Sequence, residues 1–332
     1  MDKFRKFFIT GGTGSFGKTF IPMTLRQYPN CEIIIYSRDE MKQWDMSLEY
    51  TNDPRVQFII GDVRDKNRLI SSLYNVDFLV HAAATKIVPT AEYNPTECIK
   101  TNIIGAMNVI EACSIAKVKK VVALSTDKAS NPINLYGATK LASDKLFVAS
   151  NSLDNNKGTV FSVVRYGNVM GSRGSVIPYF MSLVKSGELP ITDVRMTRFM
   201  ISLEEGVKLV WHAFNDSLGG EIYVKKIPSM NVVDIAKVIG PEVRQKIIGI
   251  RPGEKLHEQM IGLEDAQYTY EYSNYYKILP AINDWNKDKK RINGGKKVSK
   301  DFQYTSDKNI DWMTNNFLSE WIEKNKSKLG KV

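Results

Sequence analysis

Through the first half of the chain, short runs dense in Val, Ile and Phe alternate with longer segments whose apolar residues recur at helical spacing. The runs KFFIT, CEIIIY, VQFII, VDFLVHAAA, KKVVALST and VFSVVRY are apolar without alternation, as strands buried on both faces are. TNIIGAMNVIEACSIAK, by contrast, places its apolar side chains three and four residues apart, on one face of a helix. Strands alternating with helices imply βαβ units and a parallel sheet covered on both faces. The expected fold class is α/β: a Rossmann-type doubly wound parallel sheet with a smaller mixed α/β substrate domain.

After about Tyr166 the rhythm changes, and single strands and helices mix with loops. SLEEGVKLVWHAF opens with Ser202 and carries Glu205 three residues later, the spacing of a capping box. Residues 1–167 are expected to form the dinucleotide-binding domain. The segment 197–226 should return to it through a helix near 203–214 and a strand near 221–225, with the rest of 168–332 forming a discontinuous substrate domain.

Composition narrows the class. No apolar run approaches the roughly 18–20 residues of a membrane span, and the apolar part of MDKFRKFFITGG is too short for a secretory signal. A cytoplasmic protein without a membrane partner is expected. Cys31, Cys98 and Cys113 are odd in number and lack C-x-x-C spacing, which reads as reduced core thiols and no metal site. The formal charge of +10 suits nucleic acid, anionic lipid or phosphorylated small molecules. Much of it lies in NKDKKRINGGKKVSK, Asn286 to Lys300, where no aromatics interleave. That segment reads as a solvated loop, and no nucleic-acid partner is expected.

Candidate chemistry begins with FITGGTGSFGKTF, which puts Gly11, Gly14 and Gly17 after a strand and before a helix. Glycines there let backbone N–H groups of the loop, with Thr13, Ser15 and Phe16, approach a pyrophosphate at a helix N-terminus. Pro22 falls inside that helix and should kink it or displace its first turn. About 20 residues on, where a carboxylate would select NAD, the chain reads SRDEMKQ. Arg38 and Lys42, beside Ser37 and Asp39, would attract a 2′-phosphate, so NADP is the expected cofactor. Asp62 and Val63 of GDVRD could border the adenine, or Asp62 could be a turn residue capping the next helix.

LSTDKASNPINLYGATK holds two pairs. Tyr136 and Lys140 lie at i and i+4 on one helical face. A tyrosine of ordinary pKa, about 10, needs a neighbouring cation to act as a base at neutral pH. Ser125 or Thr126, at the strand end, could bond the same substrate oxygen. Hydride transfer does not need the other pair, Asp127 and Lys128, which from residue types alone is equally an exposed ion pair.

The first two-thirds of the chain resembles the extended short-chain dehydrogenases/reductases that modify nucleotide sugars. More closely, it is similar to the inverting UDP-N-acetylglucosamine 4,6-dehydratases of the pseudaminic acid route. The motifs are TGGTGSFGKTF, YSRDEMKQ, GDVRD, HAAATK, AEYNPTECIKTN, LSTDKASNPINLYGATK, VRYGNVMGSRGSV, ELPITDVRMTRF and RPGEKLHE, with DFQYTSDKN near the end. The resemblance implies oxidation at C4 with Tyr136 as base, Lys140 and Thr126 assisting. It implies removal of the C5 proton by a neutral Lys128 of depressed pKa, and protonation of the C6 hydroxyl by Asp127. It implies a UDP-sugar substrate and a homo-oligomer. Ala82, Ala83, Lys86, Leu124 and Tyr166 join the expected cofactor contacts, and Lys86, Asn168, Arg198, Arg251 and Glu254 the substrate contacts. The chain departs from the group in Thr85, which stands where leucine is usual. Tyr136 matches the pseudaminic type rather than capsule-sugar enzymes with methionine there. His81 reads as a packed core histidine, and His257 has no metal-site spacing. The rival readings are a nucleotide-sugar 4-epimerase, which needs only the redox pair, and a non-catalytic NADP-binding regulator.

Overall fold

The computed structural model of the protein describes residues 5–153 and 158–329. Six strands form its centre: β1 (Arg5–Thr10), β2 (Cys31–Ser37), β3 (Val56–Ile60), β4 (Phe78–His81), β5 (Lys120–Thr126) and β6 (Val160–Tyr166). They pair in parallel in the order β3-β2-β1-β4-β5-β6. The order reverses between β1 and β4, and a crevice opens there at the carboxyl ends of the strands. Their side chains are buried as the unalternating runs require: Phe8, Ile9, Ile33, Ile35, Leu79, Val80, Val121, Val122, Val163 and Val164 are all shielded from solvent. Each such side chain contributes roughly 1.5–3 kcal/mol of burial.

The helices α1 (Ser15–Gln27), α2 (Glu40–Ser47) and α3 (Lys66–Ser72) connect the first four strands. Between β4 and β5 come α4 (Val88–Tyr93), α5 (Pro95–Ile99), a π-turn over Lys100–Ile104 and α6 (Gly105–Ala116). The helix α7 (Leu135–Ala149) joins β5 to β6. Pro22 does not end the helix: α1 starts at Ser15 and continues to Gln27 with the proline inside it. The alternative role for Asp62 is also corrected, because Asp65 caps α3, its side chain accepting from the Arg68 N–H.

Beyond β6 the chain leaves the large sheet. It passes through β7 (Asn168–Val169), α8 (Val176–Leu183), β8 (Glu188–Ile191) and β9 (Thr197–Ile201). It then returns through α9 (Leu203–Asp216), which packs on α1, and β10 (Ile222–Lys225), parallel to β6. Ser202 caps α9, accepting from the Glu205 N–H. Next come β11 (Ser229–Asn231), β12 (Arg244–Ile247) and β13 (Gln259–Ile261). The strands β14 (Thr269–Glu271), β15 (Tyr275–Ile278) and β16 (Lys296–Lys297) extend the large sheet beyond β10 by antiparallel pairing. The last strand, β17 (Tyr304–Thr305), pairs with β13. β7, β9 and β11 form a small sheet of their own, and β8 pairs with β12. A second apolar cluster, with Met170, Phe180, Leu189, Ile191, Met200 and Ile235, fills the space among these elements.

The lysine-rich segment is not a solvated loop. Residues 289–292 form a short helix and Lys296–Lys297 an edge strand. Arg291 is buried, 2.7 Å from Glu221 Oε1 and with its guanidinium 4.2 Å from the centre of the Trp285 ring. A buried carboxylate demands such a partner, and this pair pins the basic segment to the sheet. The cysteines are free and buried.

Candidate active site

A cleft of about 1280 Å3 lies at the carboxyl ends of the parallel strands. That exceeds the usual single-ligand pocket and suits a dinucleotide beside a second ligand. Every residue proposed from the sequence lines it except Gly17 and Asp127. Gly17 lies behind the loop: a Cβ there would sit 1.9 Å from the Gly12 carbonyl oxygen, so glycine lets α1 close on the strand. Asp127 lies behind Lys128 and is fully buried.

At the cofactor end, α1 begins at Gly14 with no side-chain cap, so its first N–H groups face the cleft unclaimed by a side chain. Asp39 caps α2 by accepting from the Lys42 N–H, and it also pairs with the Lys42 ammonium. Arg38 is exposed at the cleft mouth, 3.9 Å from Asp62 Oδ2, which Arg64 holds more closely at 2.7 Å.

The catalytic stretch follows from the end of β5. Thr126 leads into a tight turn, Asp127–Ala129, and Asn134 then caps α7, accepting from the Gly137 N–H at 2.7 Å. A Cβ on Gly137 would lie 2.3 Å from the Lys128 carbonyl oxygen, so only glycine lets α7 start against that turn. Four residues apart on α7, Tyr136 and Lys140 both reach the cleft. Burial pushes the Tyr136 phenol up to about 12, against the pull of the Lys128 ammonium and a Thr126 hydrogen bond. Burial lowers Lys140, and Asp144, one turn further on, partly restores it.

Lys128 departs from expectation. Its ammonium lies 3.1 Å from Asp127 Oδ1 and 3.0 Å from Glu258 Oε1. Burial alone would lower its pKa, but these two carboxylates outweigh burial and raise it. The two carboxylates thus favour the ammonium form of Lys128 over the neutral amine expected. Asp127 shifts upward, chiefly by burial, as a proton donor requires. Burial also acts on Glu258, but Lys128 and Arg198 prevail and hold it below the usual carboxylate range.

The remaining candidates divide by partner. Lys86 lines the cleft, its pKa lowered by burial and by Arg173. Asn168 lies on β7 at the cleft wall. Arg251 pairs with Glu254 near the surface. Arg198 spends its guanidinium on the carbonyls of Thr197, Lys255 and Leu256. Thr85 has a structural place: its N–H donates to Asn102 Oδ1 at 2.9 Å, and the Asn102 amide donates to the Thr85 carbonyl and to Thr139 on α7. Sequence reasoning missed Glu258 and Asn102 as individual residues. Both fall inside motifs already quoted, but nothing in their spacing announces the partners they meet.

Residues 7–280 match the family described as polysaccharide biosynthesis protein. The chain belongs to that family. Among its relatives, the inverting UDP-N-acetylglucosamine 4,6-dehydratase of Campylobacter jejuni subsp. jejuni serotype O:2 is 58% identical over 321 residues. These cover 95% of this chain and 96% of that one. A UDP-glucose 4-epimerase of Rickettsia bellii (strain OSU 85-389) is 43% identical over 306 residues, 90% of this chain and 89% of the relative. Of solved structures, Pen from Bacillus thuringiensis superposes with a TM-score of 0.89 at 32% identity, covering 98% of this chain and 99% of that one. The resemblance drawn from the motifs to the inverting dehydratases is borne out, as is the Rossmann-type α/β fold.

Proposed function

We propose that the protein is an inverting UDP-N-acetylglucosamine 4,6-dehydratase that retains NADP and supplies pseudaminic acid biosynthesis, acting as a cytoplasmic homo-oligomer. One observation carries this reading: Lys128, paired with the buried Asp127 behind it, lines the same cleft as Tyr136 and Lys140. An epimerase needs only the second pair. The cofactor end fits a dinucleotide, with an uncapped helix start, glycines in the loop and a cleft of sufficient size. Gly11, Thr13, Gly14, Ser15 and Phe16 would hold the pyrophosphate, and Ser37, Arg38, Asp62 and Val63 the adenosine half. Arg38 favours a 2′-phosphate, since Asp39 already occupies Lys42. When bound, the nicotinamide supplies a hydride acceptor for C4 and a hydride donor for C6.

The protein's own groups move the protons. Tyr136, once ionised, takes the proton of the C4 hydroxyl, and Thr126 bonds its oxygen. The resulting C4 ketone acidifies C5, where Lys128 in its amine form removes the proton. Asp127, its pKa raised chiefly by burial, gives its proton to the C6 hydroxyl, which leaves as water. Lys86, Asn168, Arg251 and Glu254 would hold the sugar and diphosphate, Arg251 through paired N–H donors.

The 43% identical epimerase relative keeps 4-epimerisation as a second reading. NMR of the purified protein with UDP-N-acetylglucosamine in deuterated water, without added cofactor, separates the two. The expected result is a 4-keto-6-deoxy product with deuterium at C5, and NADP in the denatured supernatant. A 4-epimer alone, or unchanged substrate, sinks the dehydratase reading, and NAD in the supernatant sinks the cofactor assignment.

A further inference from the structure

The dehydratase chemistry needs Lys128 as an amine, yet the structure favours an ammonium set between two acids, Asp127 and Glu258. Glu258, just before β13, is one of them. Its side chain is 2% exposed, lies 3.0 Å from Lys128 Nζ and borders the cleft. Its backbone is clamped from both directions: the Glu258 N–H donates to Ser306 Oγ at 2.9 Å, and the Ser306 N–H donates to the Glu258 carbonyl at 2.8 Å. Ser306 Oγ in turn meets Thr197 Oγ1 at 2.7 Å. The backbone is thus fixed while one carboxylate oxygen faces Lys128 and the other, Oε2, is buried without a partner.

Glu258 is a counter-ion to Lys128 at 3.0 Å and to Arg198 at 3.8 Å. The dehydratase reading gives Asp127, the other acid beside Lys128, the proton destined for C6, which leaves Glu258 as the group there able to take a proton from the ammonium.

We propose that Glu258 is a positioning residue acting through Lys128: it accepts the proton that turns the Lys128 ammonium into the amine required at C5. The inference rests on the dehydratase reading. In the step, an N–H bond of Lys128 breaks and an O–H bond forms on Glu258, with the nitrogen keeping the electron pair. Two opposite charges become two neutral groups, and relief of desolvation offsets part of the attraction that holds the ion pair. The amine then takes the C5 proton, and the electrons of that C–H bond pass toward the C4 ketone. Asp127 remains protonated for the C6 oxygen, so the two carboxyl groups do different work on either side of one lysine. The charged groups facing Glu258 are Lys128 and Asp127 from the turn after β5, Arg198 from β9 at 3.8 Å, and Lys255 from its own segment. Arg198 and Lys255 keep Glu258 ionised until Lys128 gives up its proton.

The test uses the 4-keto-6-deoxy product, so that C4 oxidation is bypassed, and follows exchange of its C5 proton in deuterated water. Glu258→Gln keeps the shape of the side chain but cannot accept a proton. Exchange should slow at least ~10-fold near neutral pH. Its rate should also climb about 10-fold per pH unit where the natural protein is level, because Lys128 must now lose its proton to solvent. UDP-N-acetylglucosamine affinity should stay within about twofold, since the acid touches lysine rather than sugar. An unchanged rate with a level profile overturns the proposal. If Glu258→Gln does not fold, Glu258→Asp decides: slower exchange with a level profile supports the role, and a climbing profile overturns it. Failure of the natural protein to form any dehydrated product brings down the dehydratase reading itself, a result distinct from a fault in Glu258 alone.

Discussion

A lysine flanked by two buried acids behaves differently from the neutral amine that the resemblance implied. Asp127, Lys128, Tyr136 and Lys140 could be read from the chain because they fall within one short stretch, where strand end, turn and helix face follow from local pattern. The charge on Lys128 could not be read, because Glu258 reaches it from another part of the fold. Thr85 was equally opaque until Asn102 was seen to tie its backbone to α7. The expected outcome for Lys128→Ala is loss of C5 exchange and of dehydration by ~10²–10⁴-fold, the scale of general base catalysis. Cofactor retention should be unaffected. NMR of substrate turnover and mass measurement of the released cofactor check both, and full activity would refute the elimination role.

At the scale of elements, the site depends on how closely α7 starts behind β5. Gly137 permits that approach, and Asn134 adds a second tie by donating from its side-chain amide to the Gly253 carbonyl at 2.7 Å. One cap thus links the catalytic helix to the segment bearing Arg251 and Glu254. Gly137→Ala should cost about 1–3 kcal/mol by overpacking and lower turnover, as the Lys128 turn must shift to admit the methyl group. Urea unfolding and product formation measure the two effects, and a variant as stable and active as the natural protein would show that the turn yields freely. Strands and helices were legible where their apolar period was long, as in β1 to β6 and α9. Pro22 is accommodated inside a helix that packing on β2 and α9 holds in place. The lysine-rich segment misled because its single buried residue, Arg291, finds Glu221 only in three dimensions.

For the whole molecule, acid sensitivity follows from what the core excludes. His81 is buried on β4, with its Nδ1 2.9 Å from Thr10 Oγ1, and burial lowers its pKa to about 3. Below about 6.5 the unfolded chain binds a proton that the folded chain refuses, so stability falls as pH drops from that value toward 3. Between neutral pH and pH ~5 the loss from this group is about 2 kcal/mol. His81→Gln should flatten the fall of the urea midpoint across that interval; an equally steep fall would assign the effect elsewhere. The parallel sheet with its crevice was legible in the alternation of strands and helices. The antiparallel extension through β14 to β16 was not, since those strands are short and polar. That extension matters while the protein is being made. The outer edge of β6 stays bare until β10 emerges from the ribosome, and β10 stays bare until β15 does. At about 5–20 residues per second, a nascent chain carries an open strand edge for seconds, a template for pairing with its neighbours. The finished sheet ends instead in Lys296 and Lys297, whose charges repel a second copy of the same edge.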